Sequence, residues 1–198
     1  MRLFEYFPIT VVSAIALFAV KEAVEWRRRW LAQNRKRRAL RKLISRECEM
    51  NLWVVKTLRT AAEAIRSELN EDEKSKFSAE TLADGKFYLR IWNSRNEMVA
   101  GLPLGSPKRE LMEKNLLDVA TIDAKFFAVL EPAYDAVAEL QNARDQIVSV
   151  VETKVEEEKD HIYGLDEYVL RTTHAAYERL NALYIECTGK KLESHRLR

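Results

Sequence analysis

Between Pro8 and Gly85 the chain contains neither proline nor glycine. Nothing in that stretch forces a turn, so a very long helix is the simplest structure open to it. Within it Ile44, Cys48, Leu52, Val55, Leu58, Ala62, Ile65 and Leu69 recur at spacings of three and four, which predicts a helix with one continuous apolar face. Joined to what precedes it, this face predicts one helix from Ile9 to about Leu69, ending near Asn70–Glu73. With only 5 Gly and 4 Pro in 198 residues the remainder should also be mainly helical, and a hydrophobic content of 47% excludes a disordered chain.

The start of that helix is its most unusual part. Tyr6–Val20 is a run of fifteen residues without a formal charge. As a helix it covers about 22 Å, against the ~30 Å of a hydrocarbon core. Extending it over Phe4–Trp26 reaches about 35 Å but takes in Glu5, Lys21, Glu22 and Glu25. A cleaved signal peptide should carry its positive charge before the apolar run; here the charge follows it. A buried core helix is the other alternative. Residues 27–46 hold ten basic residues and no acid, leaving 23 basic against 31 acidic elsewhere. Trp26 and Trp30 stand one turn apart among Arg27, Arg28, Arg29, Arg35, Lys36, Arg37 and Arg38, a composition suited to lipid headgroups. The expectation is a single-pass anchor over 1–26 in the inner (plasma) membrane, with Met1 outside. A basic juxtamembrane helix over 27–46 and a cytoplasmic bundle over 47–198 would follow. Thr10, Lys21, Glu22 and Glu25 share one polar arc, and Ala16, Ala19 and Ala23, with Val12, form a small-residue stripe opposite. That division suits several copies packed through the alanines with the polar arc turned inward.

Beyond Glu73, residues 75–84 read as a short helix ending at Gly85, and 94–107, with Gly101, Pro103, Gly105 and Pro107, as the longest loop. FYLRIWN (87–93) is the one good strand candidate; without an evident partner it reads as a short extended segment or helix against the bundle. Ser106-Pro107 is a helix start with serine at N-cap and proline at the first position. The helix it opens should run to about Lys159, kinked or divided at Pro132 and closed by the acidic run 156–160. Leu165–Thr188 should form a last helix stopped by Gly189. The fold class predicted is all-α: an N-terminal transmembrane helix continuing into an antiparallel bundle of about four long helices.

Chemistry is thinly represented. Two cysteines and three histidines supply neither a disulfide framework nor a metal site, so no metal and no cofactor are expected. There is no phosphate loop, dinucleotide fingerprint or nucleophile elbow, and no catalytic residue is assigned. Arg171, His174 and Glu178 fall on one face of the last helix and could line a polar pocket. A helix with arginines on all sides is not a sequence reader, so no sequence-specific nucleic acid is expected as a partner.

In layout, ITVVSAIALFAVKEAVEWRRRW followed by a helical remainder resembles the small membrane-anchored effectors of bacterial antiphage systems, including CRISPR-associated ones. The resemblance implies a homo-oligomer that permeabilises or depolarises the membrane when a cytosolic protein or a nucleotide triggers it. Helical ribonucleases of prokaryotic defence pair an arginine with a histidine four to six residues on, and none of the histidines here is so placed. The leading expectation is therefore a pore-forming or membrane-perturbing effector. The alternative is a membrane-tethered adaptor that recruits a cytosolic protein partner.

Overall fold

The computed structural model describes residues 9–71, 75–82, 87–152 and 164–193. In chain order these form α1 (Ile9–Glu71), β1 (Lys76–Thr81), β2 (Phe87–Trp92), β3 (Met98–Leu104), α2 (Glu110–Ile122), α3 (Ala124–Glu152) and α4 (Leu165–Thr188). The chain divides into two units, Met1–Leu40 and Arg41–Arg198.

In the first unit the described residues are the leading part of α1. The long helix is as expected, but the membrane span is not: among the described residues no helix is long and apolar enough to cross a membrane. The uncharged part of α1, Ile9–Val20, covers only about 18 Å as a helix, against ~30 Å. Lys21, Glu22 and Glu25 then interrupt any longer window. The single-pass anchor over 1–26, with Met1 outside, is therefore overturned. With it the pore arc of Thr10, Lys21, Glu22 and Glu25 and the headgroup position of Trp26–Arg38 lose their setting. The side chain of Thr10 lies outside the described residues. Glu25 pairs instead with Arg29, one turn on, at 3.2 Å.

The second unit is built around the apolar stripe of α1. Ile44, Cys48, Leu52, Val55, Leu58, Ala62 and Ile65 are all buried. They share a core with Ala133, Val137, Leu140 and Ile147 of α3 and Val169, Leu180 and Leu183 of α4. Helix α4 runs antiparallel to α1, since Arg41 meets Glu186 at one end and Arg66 meets Asp166 at the other. Gly189 ends α4 in the left-handed conformation (φ 73°), its N–H donating to the Ile185 carbonyl at 2.7 Å, as the sequence predicts for a glycine stop.

The fold is mostly helical but not all-α. Residues read as a helix form β1, and residues read as loop contain β3; together they give the FYLRIW strand the partners it lacked. The sheet is antiparallel in the order β1-β2-β3, with Phe77 opposite Ile91 and Leu89 opposite Leu102. Leu89 and Ile91, on one face of the central strand, are fully buried. The Asn93 side chain organises the β2–β3 turn by accepting the N–H groups of Arg95 and Glu97 at 3.0 and 2.9 Å. Pro103 and Gly101 are tolerated because β3 is an edge strand. Arg144 of α3 lies 4.7 Å over the Phe87 ring and joins the helices to this sheet.

The break between α2 and α3 also differs from expectation. Ser106-Pro107 does not open a helix; α2 begins at Glu110. Pro132 sits inside α3, and the division falls at Asp123. Asp123 closes α2 by donating its N–H to the Val119 carbonyl and opens α3 by accepting the Phe126 N–H on its carboxylate at 3.2 Å. The expected end of α3 near Lys159, the acidic run 156–160 and the turn at Gly85 lie outside the described residues.

Gly105, buried just after β3, lies against the Trp53 indole of α1, and an added Cβ there would overlap the ring. Gly105→Ala should therefore destabilise the protein by about 1–3 kcal/mol in chemical denaturation. Gly101→Ala, where a Cβ meets nothing within 4 Å, should leave the midpoint unchanged.

Candidate interaction surface

The first unit presents a helix with exposed side chains. From Val11 to Ala39 no side chain is buried. Ile15, Leu17, Phe18 and Val20 are 62%, 72%, 64% and 61% exposed. At 100° per residue Ile15 and Phe18 lie on one side, Leu17, Val20 and Val24 on another, and Val12, Ala16, Ala19 and Ala23 on a third. An α-helix that is apolar on every side is normally buried on every side. A large contiguous exposed apolar surface marks an interaction site rather than an ordinary protein exterior.

Directly after it comes a second surface of different chemistry. Arg27, Arg28, Arg29, Arg35, Lys36 and Arg38 are exposed, as are Trp26 and Trp30 at 70% and 53%. Three successive arginines, 100° apart, put positive charge over about 200° of the circumference, and Trp26 and Trp30 occupy the remaining side.

In the second unit polar side chains serve the architecture. Arg109 makes no side-chain cap for α2. The cap comes instead from α1, where the buried Glu47 carboxylate accepts the N–H groups of Leu111 and Met112 at 2.9 and 2.7 Å. One turn on, Asn51 clamps Lys108, donating to its carbonyl at 2.5 Å and accepting its N–H at 2.7 Å. Burial holds the Glu47 carboxyl above the usual range, and the two amides offset this only in part. Arg41 joins three elements: it pairs with Asp123 at 3.2 Å and Glu186 at 3.1 Å, donates to the Glu186 carbonyl, and lies 5.0 Å over Phe126.

Sequence reasoning missed Glu47, Asn51 and Asp123. The available signal was two polar residues, four apart, beside the Cys48 and Leu52 positions of the apolar stripe.

Cys48 is buried on α1 and Cys187 half-buried on α4. Burial raises the Cys48 thiol well above its ordinary value, and raises Cys187 and the Tyr184 hydroxyl to about 12 each. Both sulfurs are therefore protonated at neutral pH and are poor nucleophiles. Arg171, His174 and Glu178 do share one side of α4, but that side is exposed; the His174 and Glu178 side chains are 71% and 67% accessible and lie 3.5 Å apart. Among the described residues no group of three or more His, Cys, Asp or Glu is placed to hold a metal ion. No protein-family model, curated protein or solved structure matches the chain.

Proposed function

We propose that this chain is a non-enzymatic, self-assembling adaptor. Copies associate through the apolar first unit, and each carries its second unit as a module for a protein partner. The observation that carries the reading is the exposure of Ile15, Leu17, Phe18, Val20 and Val24 around one helix. Covering a valine, leucine, isoleucine or phenylalanine completely is worth about 1.5–3 kcal/mol. Two helices that each cover two or three such side chains already match the ~4–15 kcal/mol that association costs. Because the apolar surface runs around the helix, one neighbour leaves part of it wet, which favours three or more copies over two. The stripe of Ala16, Ala19 and Ala23 allows close approach of backbones along one contact. Of the resemblance to antiphage effectors, only self-assembly enters this reading; permeabilisation of a membrane does not. Linking several second units in one particle raises their avidity for a repetitive partner without any new contact.

Placing a charge in the apolar surface tests the reading. Leu17→Glu combined with Phe18→Glu should reduce the full-length protein from an oligomer to a monomer in sedimentation velocity. Helicity and the unfolding midpoint of the second unit should be unchanged, because both positions are exposed. An unaltered sedimentation coefficient in the variant would defeat the assignment of this surface.

A further inference from the structure

We infer that Trp26–Arg38 is a binding surface for single-stranded nucleic acid, contacting phosphates and stacking on bases without reading their order. This segment carries seven basic residues and no acid, while the rest of the chain holds 26 basic against 31 acidic residues. A polyanion is therefore drawn to this one place and repelled, on balance, elsewhere.

Charge alone would suit any polyanion; the indoles narrow the choice. Trp26 and Trp30 are 70% and 53% exposed and stand 40° apart on the helix, so both present to one side about 6 Å apart along the axis. At 100° per residue Arg27 and Arg29, both exposed, flank that side on either hand, and Arg38 lies beside Arg27. Aromatic faces beside arginines form the recurring platform for unstacked bases, because every base has a π-face. A duplex hides those faces in its own stack and so forgoes the indole contacts. A lipid surface fits less well. A helix lying on a membrane separates its charged from its apolar face, whereas at 100° per residue Arg37 falls on the same side as the two indoles.

The test uses the full-length protein and two fluorescein-labelled probes, oligo(dT) and oligo(U), each longer than the ~4–16 nucleotides that one module covers. Both should bind in fluorescence anisotropy, with affinity falling linearly in log–log against salt. Binding should also quench the protein's tryptophan emission. Trp26→Ala and Trp30→Ala should each weaken binding roughly 5- to 150-fold, the equivalent of ~1–3 kcal/mol per stacked base. Trp26→Phe and Trp30→Phe should retain most of it. Arg27→Gln and Arg38→Gln should each lower the salt slope by about 0.7. Circular dichroism should be the same throughout.

The inference is overturned if neither probe binds at low salt, or if the alanine variants bind like the parent. It is overturned equally if duplex DNA competes better than the single strands. Binding to vesicles containing phosphatidylserine, with none to the oligonucleotides, would give the surface to lipid instead.

Discussion

Replacing Glu47 with leucine should cost the second unit about 2–5 kcal/mol and loosen the start of α2 selectively. The substitution leaves the Leu111 and Met112 amides without an acceptor, and a buried donor left unsatisfied costs about 1–3 kcal/mol. Leucine recovers some of this through its apolar surface, so the loss should stay below that of a charge stripped of its partners. Hydrogen exchange should show the effect locally, with Leu111 and Met112 losing protection before the amides of α4 do. Glu47→Gln separates charge from shape. The folded pKa of Glu47 is raised above its unfolded value of about 4.5, so its ionisation costs stability as pH rises through the folded pKa. Relative to the glutamine variant, the parent should therefore gain stability as pH falls through the window just above 4.5. A parent that instead loses ground to glutamine on acidification would mean that the two amides outweigh desolvation.

The other large effect is in the packed centre. Leu180 of α4 is fully buried, as are Leu140 and Ile147 of α3 and Leu58 and Ile65 of α1. Leu180→Ala should destabilise the second unit by about 2–5 kcal/mol, the range for a buried leucine whose surroundings collapse only in part. Denaturant midpoints followed by circular dichroism measure it. A change below ~1 kcal/mol would mean that the neighbouring helices close the cavity almost completely.

These two sites mark what the sequence made legible and what it did not. Leu180 and the α1 stripe were readable because a spacing of three and four, sustained over many turns, has one physical solution, a helix with a buried face. Gly189 was readable for a similar reason, since a left-handed stop after an apolar-periodic run favours glycine. Glu47 was hidden because its partners are backbone amides 64 and 65 residues away, and a long-range cap leaves no local pattern. The sheet was hidden because the alternation in KFSAET rests on Phe77 and Ala79 alone and MVAGLPL contains glycine and proline. Both become strands by pairing with β2, a tertiary effect that outweighs local preference.

The first unit was misread for another reason. An uncharged run rich in alanine and valine looks the same whether lipid or protein will cover it. Among the described residues no helix is long and apolar enough to cross a membrane, whereas the described part of the run, Ile9–Val20, spans about three helical turns, ample for a contact between neighbouring helices.

The most direct test of the self-assembling adaptor is the mass of the full-length protein at sedimentation equilibrium, over a range of concentrations and without detergent. A stable multiple of 23.1 kDa, three or more, is the expected result. A mass of 23.1 kDa at every concentration would contradict it.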